Sequence, residues 1–242
     1  MSAFFFGPPG RQLYGYHHAP TGHAPTAPAT GAVVICPAWG QEYAHSHRAV
    51  RLLARRLSER GAHVLRFDYT GAANSWGSGT DSSIPVWVDD THLAMNELKA
   101  ISGLPSVDLL GCRVGAYVAT LACVDRPDVR RLALWDPVLN GAQWVSTKKI
   151  KAQVAATVEF DSLLVSTALL EQFRAIGVEK YGAGKPQSVV VLDDDQSRVE
   201  ELATALPDVR RAFVEVDVPT WNEFARMPAR AISTLVDMVV AK

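Results

Sequence analysis

The residues best placed for chemistry in this chain are Gly111-Cys112-Arg113-Val114-Gly115. They follow the apolar run Val107-Asp108-Leu109-Leu110 and precede Ala116-Tyr117-Val118-Ala119. That order reads as a buried strand, a glycine-flanked turn and an amphipathic helix, the context of a nucleophile elbow, which holds the side chain at its tip above the end of a sheet. Gly111 and Gly115 let the strand and helix backbones approach closely, and Ala116 and Ala119 keep the contact thin. The tip residue is Arg113. A guanidinium stays protonated and offers no lone pair, so it cannot attack a carbonyl. It can grip an anion. The N-terminus of the following helix already carries partial positive charge, and Arg113 adds to it. The negative partner is either internal (Asp136, Asp193, Glu42 or Asp68) or the carboxylate, phosphate or enolate of a ligand.

Other groups could complete a site. Asp136 and Asp193 each follow an apolar run, where an acid would stand. All seven histidines lie at or before His92, and the stretch Val218-Pro219-Thr220-Trp221-Asn222-Glu223-Phe224 holds none, so the sequence lacks both the nucleophile and the base of a Ser-His-Asp triad. Cys112, one residue before the tip, reads as a buried structural thiol. His45 is a candidate base from the loop after the third strand, and His47 reads as the first turn of a helix. Asp68 reads as a fixer of the loop that follows it. Trp39, Gln41, Glu42, Tyr43, Tyr69 and Trp221, joined by Trp76, Trp135 and Trp144, fall at expected C-terminal strand ends. Ligands bind there in open α/β sheets, and the six first named are the candidate substrate-binding residues.

These residues need a scaffold. The chain has 242 residues, 48% of them hydrophobic, with a net charge of −1. That length fits a single α/β domain over residues 1–242. The balanced charge gives no case for nucleic acid or an anionic membrane. Three scattered cysteines make neither a disulfide framework nor a zinc site. The first residues lack a basic region, and no apolar run approaches about 18 residues, so neither a secretory signal nor membrane insertion is expected. The expectation is a cytoplasmic protein without metal or cofactor, with a small-molecule or acyl substrate and an oligomer left open.

Ala3–Phe6 and Gln12–His17 flank a Gly-Pro-Pro-Gly turn and predict a hairpin. His17, His18 and His23 have no metal-ligand spacing and read as solvated loop histidines. Ala32–Cys36, His63–Asp68, Arg131–Trp135, Ser188–Leu192 and Ala212–Val216 read as buried parallel strands, with the elbow strand among them. Helices are expected from Ser46, as N-cap, to Arg60, over Val86–Ile101, from the elbow to about Asp125–Pro127, and over Arg198–Leu206 and Ala229–Val240. About 50 residues separate the strands ending at Trp135 and beginning at Ser188, more than a crossover needs. Residues 138–187 therefore predict a helical cap or lid after the sixth strand, with Leu163–Ile176 as its clearest helix. The fold class is a mostly parallel, doubly wound α/β sheet with an N-terminal β-hairpin.

This order resembles the α/β-hydrolase fold over nearly the whole chain. More narrowly the chain resembles the exosortase A-associated type 2 hydrolases, a group of mostly unassigned activity. The resemblance rests on Phe6-Gly7-Pro8-Pro9, Pro37-Ala38-Trp39-Gly40-Gln41-Glu42-Tyr43 with Ser46-His47-Arg48, Arg66-Phe67-Asp68-Tyr69 with Gly71 and Ser75, the elbow, and Leu134-Trp135-Asp136-Pro137-Val138. It implies that arginine at the elbow is common in the group. The function expected is a non-hydrolytic enzyme for cyclisation, isomerisation or elimination on an acyl or polyketide-like biosynthetic substrate. Arg113 would stabilise an oxyanion, and Asp136, Asp193 or His45 would move protons. The alternatives are an inactive pseudo-hydrolase that binds or scaffolds, and ester or thioester hydrolysis by water or Cys112.

Overall fold

The computed structural model describes residues 1–21, 29–183, 186–206, 210–213, 221 and 228–240. An eight-stranded sheet forms its centre. Strands β1 (Ser2–Phe6) and β2 (Leu13–His18) form the expected hairpin, and β2 joins the sheet antiparallel to β4 (Ala62–Phe67). The remaining pairs are parallel and add β3 (Gly31–Cys36), β5 (Val107–Cys112), β6 (Val129–Trp135), β10 (Ser188–Asp193) and β11 (Arg210–Phe213). The spatial order is β1-β2-β4-β3-β5-β6-β10-β11. From β3 the chain runs to β4 on one side and then returns to β5 on the other. The carboxyl ends of β3 and β5 therefore flank a reversal of strand order, where a crevice opens.

Central strands are apolar on both faces because helices cover both. Helices α1 (Gln41–Glu59) and α7 (Ala229–Val240) supply Leu53, Leu57, Ile232 and Leu235 to one core, against Val33, Ile35, Leu110 and Leu192. Helices α2 (Ile84–Ser102) and α3 (Val114–Ala122) supply Trp87, Leu98, Ala116 and Ala119 to the other, against Val34, Leu109 and Leu132.

Several boundaries differ from expectation. Helix α1 begins at Gln41, not after Ser46. Gly40, with φ of 65°, turns the chain without a side-chain cap, and Ser46 is buried, its hydroxyl donating to the Tyr43 carbonyl. Gln41, Glu42, Tyr43 and His45 are therefore helical residues rather than loop residues. Helix α2 starts two residues early because Ser83 caps it, accepting from the Val86 N–H. The elbow helix stops at Ala122, ahead of the expected Asp125–Pro127, and α6 (Gln196–Ala205) is capped by Asp195. The last strand starts at Arg210, and residues 214–216 of the expected Ala212–Val216 strand lie outside the described set, as does His23. His17 and His18 are strand residues, not loop residues. His18 is buried, and His17 Nε2 lies 3.0 Å from His63 Nδ1.

The insertion after β6 is not wholly helical. Helix α4 (Gly141–Ser146) leads into a three-stranded antiparallel sheet of β7 (Ile150–Val154), β8 (Thr157–Phe160) and β9 (Leu163–Ser166). Helix α5 (Thr167–Arg174) follows, capped by Ser166, and a short 3-10 turn over Val178–Ala183 closes the segment. The apolar run Leu163-Leu164-Val165 is a strand abutting a helix. Periodicity fuses the two, because short apolar runs do not distinguish strand from helix.

Candidate functional site

The elbow forms as its glycines require. A Cβ on Gly111 would sit 2.4 Å from the Ala116 Cα, and one on Gly115 only 2.1 Å from the Pro37 carbonyl oxygen. No side chain fits at either position, so α3 presses directly on β5 and on the end of β3. Arg113 sits at the tip with φ 54° and ψ −122°, a strained backbone for a residue with a Cβ, worth about 1–3 kcal/mol. Cys112 faces the opposite core, fully buried, and burial raises its thiol pKa far above the usual range. It stands as the structural thiol its position suggested.

The Arg113 guanidinium meets two acids. Nε and Nη2 donate to the two carboxylate oxygens of Glu42 at 3.2 Å each, and Nη1 donates to Asp136 Oδ1 at 2.8 Å and to the Asp136 carbonyl at 3.0 Å. Glu42, in the first turn of α1 and 2% exposed, also accepts from Trp144 Nε1 at 2.8 Å and Lys148 Nζ at 3.0 Å. Arg198 Nη2 also forms an ion pair with Asp136 Oδ1 at 2.9 Å, and Arg198 Nε donates to Asp193 Oδ2 at 3.1 Å. Three cations and three carboxylates thus alternate across the ends of β5, β6 and β10.

Burial and pairing push these groups apart. For Glu42, burial favours the neutral acid, but Arg113 and Lys148 outweigh it and its pKa falls below the usual carboxylate value. For Arg113, burial disfavours the charge, and Asp136 and Glu42 reverse this and raise the pKa. Asp193 moves the other way: burial first, and then the negative charge of Asp136, push its pKa up to about 7. Asp136, Asp193 and Asp194 bring ligand atoms within 4.8 Å of one another, a spacing a cation could use. The Arg198 guanidinium already bridges the first two.

Of the candidate residues, Arg113, Asp136, Asp193 and Glu42 come together here. Trp221 is buried with its ring under the guanidinium, 5.8 Å from Arg113 Cζ, and its carbonyl accepts from His45 Nδ1 at 2.8 Å. Gln41 is exposed on α1. Trp39, Tyr43 and Tyr69 line a separate cavity of about 450 Å³, together with Asp68 and with Leu163 and Leu164 of the insertion. Trp39 stacks on Phe160 at 5.7 Å and contacts Phe173 at 5.2 Å, so the insertion's aromatic residues hold that wall. Asp68 does fix its loop: Oδ2 accepts from the Asn74 N–H, and its carbonyl accepts from Ser75 Oγ. A second cavity of about 620 Å³ lies over Arg113, Lys148 and Arg198. Trp144, one of the aromatic residues the sequence places at the strand ends, joins this network, and so do Lys148 and Arg198, which no sequence pattern marks. Nothing in the sequence flags Lys148, which meets Glu42 from 106 positions away.

A mostly parallel sheet, a glycine elbow after the fifth strand and acids after later strands define an α/β-hydrolase fold. The chain belongs to the family described as serine aminopeptidase, S33, whose model matches residues 27–208. Est1E from Butyrivibrio proteoclasticus, with ferulic acid bound, superposes with a TM-score of 0.77 at 16% identity, covering 99% of this chain and 100% of that one. DcsB in complex with its substrate analogue gives 0.72 at 10% identity, covering 100% and 99%. The thioesterase domain from the curacin biosynthetic pathway gives 0.62 at 14% identity, covering 100% and 99%. These likenesses carry the fold. A search of curated proteins found no match. No helix among the described residues is long and apolar enough to cross a membrane.

Proposed function

We propose that this protein is a pseudo-hydrolase: it binds a small, largely apolar molecule and does not hydrolyse esters or amides through its elbow. The observation that carries this reading is the state of Arg113. Four hydrogen bonds from its guanidinium are taken by Glu42 and Asp136, leaving little donor capacity for an incoming anion. Arg113 is paired with both Glu42 and Asp136, and Lys148 with Glu42, so the elbow is not the anion-seeking spot that an unpaired arginine would make. The resemblance to the exosortase A-associated group, in which arginine at this position is common, agrees with a settled replacement. The ferulic acid on Est1E and the acyl chemistry in the name of the curacin thioesterase domain suggest an acyl or aromatic body for the ligand.

The test is direct. A fluorophosphonate probe should leave the protein unlabelled, and nitrophenyl esters and thioesters should turn over no faster than with an elbow-disrupted variant such as Gly115→Val. Labelling, or turnover at hydrolase rates, sinks the reading. One observation favours a second reading, a non-hydrolytic enzyme. The Asp193 carboxyl, raised to about 7, is poised to exchange a proton near neutrality beside the cavity that Arg198 and Arg113 line. Such an enzyme would lose kcat on Asp193→Asn with little change in ligand affinity.

A further inference from the structure

The cavity beside the elbow has a chemistry of its own. Its walls are aromatic and small-residue surface from Trp39, Tyr69, Ala72, Leu163 and Leu164, and its volume of about 450 Å³ suits a drug-sized molecule. Its charged wall group is Asp68, 2% exposed. Asp68 Oδ1 accepts from the Tyr43 hydroxyl at 2.6 Å and Oδ2 from the Asn74 N–H at 3.3 Å. A carboxylate has about four acceptor positions, so capacity remains. No lysine, arginine or histidine lines the cavity, and no cation among the described residues lies within ion-pair distance of Asp68. Arg66 and His47 share a neighbouring cavity with Asp68, and Arg66 attracts it from there without an ion pair, meeting His18 Nε2 at 3.3 Å and the Tyr16 ring at 4.8 Å. A second carboxylate lies near one lining residue: a Cβ on Gly40 would be 3.8 Å from Asp161 Oδ2.

An apolar cavity with a buried carboxylate in its wall and no cation among its lining residues disfavours acids. It fits a molecule with an apolar body and a positively charged donor head. The head satisfies Asp68, and the apolar body packs against the aromatic and leucine walls. We propose that this cavity is the ligand site, and that its ligand is a hydrophobic amine held by the Asp68–Tyr43 pair, not an acid held by Arg113. The proposal rests on the reading that the protein holds a small molecule, and it assigns that molecule's place and class.

Leu163 and Leu164 set the mouth; they are 40% and 58% exposed, so substitution there leaves the core intact. The experiment is calorimetric titration of the full chain at neutral pH with phenylbutylamine, phenylbutanol and phenylbutanoic acid, which share one apolar body. The amine should bind at least about tenfold more tightly than the alcohol, and the acid should be weakest. Leu164→Trp should abolish amine binding by filling the mouth. Asp68→Asn should reduce the amine's advantage over the alcohol to near unity, with circular dichroism confirming that this variant folds. Acid or alcohol binding as tightly as the amine, no binding of any of the three, or amine binding untouched by Leu164→Trp overturns the proposal. Ester turnover, measured separately, is what would overturn the pseudo-hydrolase reading, so the two failures are distinguishable.

Discussion

At Arg113 the balance of desolvation and pairing decides everything. A guanidinium with 13% side-chain exposure beside a carboxylate at 2% is expensive to bury, and the pair holds because each supplies the other's missing solvent. Such a pair adds little net stability relative to an apolar filling, but removing one partner strands the other. Arg113→Ala should therefore lower unfolding free energy by about 3–5 kcal/mol in urea titrations. Glu42→Gln with Arg113→Gln should cost less than the sum of the two single changes. Additive losses would show that the two groups act independently. Asp193 makes the opposite case. Its folded pKa is raised to about 7 by burial and by Asp136, so the native state holds its proton where the unfolded chain has lost it. Its contribution is fully present below the unfolded carboxylate pKa and is lost as pH rises through about 7. Between those limits wild-type stability should fall with pH, and Asp193→Asn should flatten that slope. An unchanged slope in the variant would place the titration elsewhere. Glu42, with its pKa lowered by Arg113 and Lys148, acts at the acid end: its contribution is present above the unfolded value and lost as pH falls below it.

At the scale of elements, the elbow is governed by contact distance. Gly115→Ala would place a methyl 2.1 Å from the Pro37 carbonyl oxygen, forcing α3 away from β3 and β5. It should cost about 3 kcal/mol and lower the melting temperature by about 6–12 °C. Gly103→Ala is the control: it caps α2 at φ 71° with nothing near, so only the left-handed backbone strain of about 1–2 kcal/mol applies. Equal losses at the two sites would mean that close packing does not set the elbow. The same sterics explain what was legible in the sequence. Gly111 and Gly115 admit no side chain, so the elbow leaves its mark on the residue types themselves, and strands covered on both faces read as unbroken apolar runs. The start of helix α1 leaves no mark in the sequence, because it depends on the backbone of Gly40, which has no capping side chain. Glu42, which the sequence offers both as an internal partner for Arg113 and as a ligand contact, lies on the first turn of α1 and faces Arg113. Lys148 and Arg198 could not be found by pattern, since their partners are fixed only when the insertion folds back over the sheet.

Over the whole molecule, the insertion is tied to the sheet from two sides. On one side Trp144 and Lys148, at the start of the insertion, both bond Glu42 of α1. On the other, the backbone of β9 meets the loop after β4 so closely that a Cβ on Gly79 would lie 2.3 Å from the Leu164 carbonyl oxygen. The first tie is ionic and governs the cavity over Arg113; the second is steric and governs the mouth of the Asp68 cavity. They should therefore separate on mutation. Glu42→Gln removes the charge that holds Lys148 and Arg113 but leaves the β9 contact intact. Hydrogen exchange should then quicken in α4 and β7, while β9, β5 and β3 keep their wild-type protection. The amine should still bind, because neither Asp68 nor Leu164 depends on Glu42. If β9 exchanged as fast as α4 in that variant, the insertion would move as one body, and the two cavities would share a single gate.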